Sequence, residues 1–202
     1  MPQPLNYLKE SPSQTAGPYV HIGLAPAAAG FDIYREELGR DIAAPDTPGE
    51  RIRIEGRVFD GTGAPVKDVL VEIWQADGNG IHPSPNDPRH ADCAPGFRGW
   101  ARVIPDFDSG VFAIDTIKPG PVPGRNGRMQ APHISLWLVS RGINIGLQTR
   151  MYFGDEDNAD DPVLNLIEQA ARRDTLIATR DGDVYRFDIH LQGDKETVFF
   201  DV

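Results

Sequence analysis

Imidazole, thiol and carboxylate groups are the side chains here whose chemistry depends most on spacing. Five histidines, His21, His82, His90, His133 and His190, are spread singly along 202 residues, and only His82, His90 and Cys93 fall close together, in one proline-rich stretch. Nitrogen and sulfur donors of this kind suit zinc or another borderline metal, but the spacing matches no metal-binding pattern, and surface or hydrogen-bonded histidines are the better reading. The acidic run Asp155-Glu156-Asp157 with Asp160-Asp161 offers carboxylates but lacks the glycine and spacing of a calcium loop, which leaves a solvated loop. The chain has no phosphate-cradling glycine loop, no nucleophile elbow and no paired cysteines. Nucleotide chemistry and serine hydrolysis therefore have no foothold.

Charge narrows the partners. Thirty acidic against 20 basic side chains give a formal net charge of −10, which repels nucleic acid and anionic membrane surfaces. An anionic ligand would need a local arginine or lysine to overcome that field. Cys93 is the only cysteine, so an internal disulfide is excluded and a reducing, cytoplasmic location is expected. Residues 1–10 show no basic stretch followed by an apolar run, and no apolar run approaches the length of a membrane helix, so neither a leader nor an anchor is expected.

The elements that must position these groups are mostly strands. Ile52, Ile54 and Val58 alternate with Arg51, Arg53, Glu55 and Arg57, and after the turn formers of residues 60–65 Val69, Val71 and Ile73 alternate again; the two runs read as adjacent strands. A long irregular loop, 81–99, follows, of the kind that usually carries function or assembly. Further strands are expected over 100–104, 111–117, 133–139, 148–153, 175–178, 184–191 and 197–200, with a hairpin-like turn at 180–183. Short helices are expected over 31–38 and over 162–170, the latter with Asp161 as N-cap and Pro162 at its first position. With 21 glycines and 18 prolines punctuating short strands, the pattern predicts an all-β fold, an antiparallel β-sandwich with long loops and one or two short helices, in a single domain over 1–202.

Longer motifs then carry a resemblance. Ile54-Glu55-Gly56-Arg57-Val58, Val71-Glu72-Ile73-Trp74-Gln75-Ala76, Gly80-Ile81-His82, Thr116-Ile117-Lys118-Pro119-Gly120 and Ala131-Pro132-His133-Ile134-Ser135 resemble the intradiol ring-cleavage dioxygenases, which use O2 to open catechols between their hydroxyls. The ends resemble one of the two chains of hetero-oligomeric members: Ser13 to Gly23 (SQTAGPYVHIG), Arg141-Gly142-Ile143-Asn144-Ile145 and Glu196-Thr197-Val198-Phe199-Phe200-Asp201.

The resemblance implies that the catalytic chains of the family hold Fe(3+) with two tyrosines and two histidines. At those four positions this chain has His82, Val122, His133 and Ser135, so three of the four are altered. Ferric iron needs anionic oxygen donors to offset its charge, and two neutral imidazoles do not supply them. The chain is accordingly expected to bind no iron and to have no catalytic residue or activity alone, with Fe(3+) held by a homologous beta subunit within a higher hetero-oligomer. Residues carried over for contact with substrate are Thr15, Gly17, Pro18 and Arg141, and residues 1–22 are expected to form an extended arm packing on that partner. Taken singly, Gly17-Pro18 reads equally as a turn, Thr15 as a cap and Arg141 as an exposed strand-end charge. A metal-free binding module or a purely structural subunit remains the alternative, because a β-sandwich does not decide function.

Overall fold

The computed structural model describes residues 14–34 and 39–201. Among them lie twelve strands: β1 (Arg51–Gly56), β2 (Val58–Phe59), β3 (Leu70–Gln75), β4 (Trp100–Val103), β5 (Phe112–Ile117), β6 (Val122–Pro123), β7 (Met129–Gln130), β8 (His133–Val139), β9 (Leu147–Phe153), β10 (Ile177–Asp181), β11 (Val184–Arg186) and β12 (Ile189–His190). Two short helices, α1 (Val20–Leu24) and α2 (Ala170–Arg173), complete the regular structure apart from single 3-10 turns. The all-β expectation is met. No helix among the described residues is long and apolar enough to cross a membrane.

Eight strands form one folded sheet in the order β4-β3-β8-β9-β10-β11-β1-β5. Its bend is at β10, where Ile177 and Ala178 pair with β9 while Thr179 to Asp181 pair with β11. One strand thus belongs to both layers. Between the layers, Ile52, Ile54, Phe112 and Ile114 meet Val71, Ile73, Ile134, Leu136, Leu138 and Met151 in a single apolar core. In β8 the buried set Ile134, Leu136 and Leu138 alternates with Ser135, Trp137 and Val139, as period-two patterning requires. The odd-numbered residues of β8 therefore line the outer face of the sheet.

Several sequence expectations are corrected. The runs around Ile54 and Ile73 are not neighbours: β1 pairs with β5 and β11, and β3 pairs with β4 and β8, so the two lie in opposite layers. Alternation identifies a strand but not its partner, and here the chain crosses the core between them. The pairings are mainly antiparallel, but β1 with β11, β9 with β10 and β2 with β12 are parallel. The helix expected over 162–170 is reduced to a 3-10 turn, Leu164–Leu166. Asp161 does cap it, its Oδ1 accepting from the amides of Val163 and Leu164, but Ile167 goes extended at φ −87°, ψ 108°. Leu164 stays packed with Tyr152 and Leu176 in a second apolar cluster, and that packing outweighs the helical pattern. The strand expected over 197–200 survives as one bridge, Phe200 to Gln148, and the one expected over 184–191 is split into β11 and β12. Of the helix expected over 31–38, residues 31–34 are not helical and 35–38 lie outside the described residues. The expected arm, 1–22, is described only from Gln14 onward, and α1, which carries no side-chain cap, was not anticipated.

Candidate functional site

The four positions matched to metal ligands converge at one end of the outer face. His82 stacks on Trp74, with ring centroids 5.4 Å apart and planes 6° from parallel, and Trp74 faces Ser135 across the β3–β8 ladder. Two residues along β8 lies His133, and Pro123, next to Val122, shares with Trp74, His82, Ser84 and Arg89 the wall of an open cavity of about 490 Å³. Local chemistry explains how an irregular loop places His82. Asp77, fully buried, accepts from the amides of Asn79, Ile81 and Ala94, closing the tight turn and tying the loop's far end to it. Asp87 accepts from the His82 amide, and Arg89 donates both to Asp87 and to the Gly80 carbonyl. The Arg89 hydrogen bonds hold the Asp87 carboxyl down at about 2.

The neighbouring loop packs on this one backbone to backbone. Gly80 has φ 72°, and a Cβ there would stand 1.9 Å from the Pro121 carbonyl oxygen; one on Gly120 would stand 2.5 Å from that of Gly78. The Gly120 amide donates to the Asp77 carbonyl at 2.9 Å. Glycine at both positions is what lets the two ligand-bearing loops touch.

The donor set does not fit ferric iron. His133 is 9% exposed, with Nδ1 2.8 Å from the Ala131 carbonyl, which makes Nδ1 the protonated nitrogen and leaves the lone pair on Nε2. Burial, aided by the positive charge of Arg150, lowers its pKa to about 4, so it is neutral. His82 is also pushed down by burial, and its buried Nδ1 has no hydrogen-bond partner. Beside these imidazoles stand a hydroxyl at Ser135 and a buried isopropyl group at Val122, which pairs with Gln130 in the β6–β7 ribbon. Neither phenolate that would stabilise the ferric charge is available. Among the described residues, no group of three or more His, Cys, Asp or Glu side chains is placed to hold a metal ion. His90 and Cys93 play no part: the His90 ring Nδ1 lies 2.9 Å from the Asp87 carbonyl, and burial raises the Cys93 thiol to about 11, leaving it protonated.

The residues expected to meet substrate lie at the other end of β8, roughly 20 Å away at the usual rise per residue. There the structure brings Thr15 and the Arg141 loop together. The Thr15 hydroxyl accepts from the Gly142 amide at 2.9 Å and donates to the Ile143 carbonyl at 3.1 Å. Its hydrogen-bonding capacity is thus committed to the backbone on the far side of Arg141. Gly17 and Pro18 follow in an exposed turn closed by the Val20 amide on the Gly17 carbonyl. Among the described residues nothing comes within 4 Å of where a Gly17 Cβ would stand, so no contact among them demands glycine there. Arg141 is 63% exposed and forms an ion pair with Asp68, Nη2 to Oδ2, at 3.2 Å. Around this knot Tyr19 and Ile145 are bare, at 74% and 73% exposure. Sequence reading passed over Asp68, whose only signal was its place opposite Arg141 once the β3–β8 pairing is known. It also passed over the aromatic content of the outer face, where a groove of about 330 Å³ is lined by Trp74, Trp100 and Trp137.

Comparison with known proteins shows the family and the fold. A family model described as dioxygenase matches residues 33–193. The chain is 50% identical to the protocatechuate 3,4-dioxygenase alpha chain of Pseudomonas putida, over 98% of this chain and 99% of that one. It is 38% identical to the protocatechuate 3,4-dioxygenase beta chain of Burkholderia cepacia, over 72% of this chain and 66% of that one. Among solved structures, catechol 1,2-dioxygenase from Pseudomonas arvilla C-1 superposes with a TM-score of 0.55 at 22% identity, covering 77% of this chain and 56% of that one, a likeness of fold.

Proposed function

The chain belongs to the intradiol ring-cleavage dioxygenase family, and on that premise we propose that it is the alpha subunit of a protocatechuate 3,4-dioxygenase. In this reading a homologous beta subunit holds the iron, and this chain completes its substrate pocket in a hetero-oligomer that opens protocatechuate with O2 to 3-carboxy-cis,cis-muconate. The single domain acts in a reducing cytoplasm that leaves Cys93 a free thiol.

One observation carries the proposal: the Thr15–Arg141 knot stands at the opposite end of β8 from this chain's own ligand positions. A single aromatic ring cannot bridge that distance, so a ligand held by Arg141 has its reacting end on another chain. The exposed neighbours Tyr19 and Ile145 then become interface residues. Arg141 supplies positive charge for the substrate carboxylate in a chain of net charge −10. Gly17 and Pro18 form a small, stiff wall against a flat ring, and Thr15 fixes the loop that bears the arginine. The family uses ferric iron, and no step on this chain runs through it.

The test is iron analysis and oxygen uptake on the chain alone and after co-expression with a homologous chain that carries Tyr, Tyr and His-x-His. Expected are no iron and no turnover alone, and stoichiometric iron with protocatechuate-dependent oxygen uptake in the co-purified complex. Full iron and activity in the isolated chain, or no complex, would refute the reading.

A further inference from the structure

We infer that Asp68 is a positioning residue for Arg141, setting how its guanidinium is presented to the carboxylate of an aromatic acid; this rests on the reading above. The two are a product of the sheet register. In the antiparallel β3–β8 ladder Leu70 faces Val139, and continuing that register past both strand ends sets Asp68 opposite Arg141. Asp68 sits between two anchors: Lys67 Nζ donates to the carbonyls of Phe107 and Asp108, and Val69 is wholly buried.

The pair is lopsided. The Asp68 side chain is 19% exposed and that of Arg141 63%, so the carboxylate is the fixed partner and the guanidinium the presented one. The closest approach is Nη2 to Oδ2 at 3.2 Å, and the guanidinium, 63% exposed, keeps an open side for a second anion. From the other side the Thr15 hydroxyl holds Gly142 and Ile143, and the Ile143 amide returns to the Ser140 carbonyl. Backbone and guanidinium are thus restrained by two independent contacts.

A carboxylate beside the arginine also repels an anionic ligand, so the two effects must be weighed. Two like charges ~7 Å apart in a water-like medium disfavour binding by a factor of about three. Freezing a free arginine side chain disfavours it by about thirtyfold, and an anchor already in place has met part of that. Orientation wins, by a modest margin typical of exposed ion pairs.

The test uses the reconstituted hetero-oligomer and steady-state oxygen uptake with protocatechuate and with catechol, which lacks the carboxylate. Wild type, Asp68→Asn, Asp68→Glu, Arg141→Ala and the Asp68→Asn/Arg141→Ala double variant are compared. Asp68→Asn is expected to raise KM for protocatechuate about three- to fivefold, with kcat and the catechol KM unchanged, and Asp68→Glu to recover part of the loss. In the Arg141→Ala background, Asp68→Asn should add nothing. An unchanged or lower protocatechuate KM for Asp68→Asn, with Arg141→Ala impaired, would overturn this inference alone. So would equal losses on catechol, or full additivity in the double variant. If Asp68→Asn fails to assemble while Asp68→Glu assembles with wild-type KM, Asp68 belongs to the scaffold and the inference fails. No discrimination between the substrates by Arg141→Ala would remove the underlying reading and this inference with it.

Discussion

The two ends of β8 carry opposite kinds of site. At the His133 end the loops carrying the matched positions are braced by Asp77, Asp87 and Arg89, while three of the four side chains there differ from those the resemblance implies for a metal-binding chain. At the Arg141 end the side chains are ordered and polar, yet they open onto solvent beside bare Tyr19 and Ile145. The first is a braced cavity without the donors to fill it; the second is a set of contacts with no cavity around them. The two imidazoles of His82 and His133 are therefore the wrong place to look for this chain's chemistry. The telling feature is an exposed arginine with more local support than an ordinary surface charge receives.

The contrast is broken most directly at Arg141. In the assembled enzyme Arg141→Ala should lose a charge-assisted interaction of about 1.5 to 3 kcal/mol, or about 10- to 150-fold in kcat/KM for protocatechuate. Iron content should stay the same, and catechol should suffer less. Equal losses on both substrates by oxygen uptake would move Arg141 to a structural role.

A smaller effect is expected at Thr15, where Thr15→Val keeps shape and removes only the hydroxyl. The Gly142 amide and the Ile143 carbonyl then turn to water, and the Arg141 loop loosens. With about 1 kcal/mol at stake, kcat/KM for protocatechuate should fall about fivefold while the complex still co-purifies. Wild-type kinetics would mean that the hydroxyl network does not support the arginine.

The smallest change in function should follow at the other end. Val122→Tyr restores one phenolate in a buried position but leaves Ser135 and His82 unsuited to ferric iron. Iron in the isolated chain should remain negligible, no tyrosinate colour should appear, and overpacking should lower stability by about 1 to 3 kcal/mol. Stoichiometric iron in this variant would erase the distinction between the two ends.

Much of this could be read before the structure was known, because strand alternation is local. β8 was anticipated with its observed limits, and β9 to within a residue. The departures arise where distant parts of the chain decide. The partners of β1 and β3 depend on a chain path that crosses the core, and the helix around Leu164 yields to packing against Tyr152 and Leu176. The site divides the same way. The resemblance picks out His82, Val122, His133 and Ser135, with His133 alone unaltered, but how the folded loops bring these positions to one end of the sheet is not legible in the motifs. Asp68 had no signal until the ladder register set it across from Arg141.

The glycine contact between the loops of Gly80 and Gly120 has an evolutionary consequence. In domains whose folding free energy comes from a bound ion, losing a single donor unfolds the chain, and lineages cannot drift through that state. Here the ligand-bearing loops are braced by main-chain packing and the buried carboxylate of Asp77, with no ion needed to hold them. Changes of side chain at positions 82, 122 and 135 are therefore expected to leave the loops folded, so that these positions are free to vary while the main chain keeps its course.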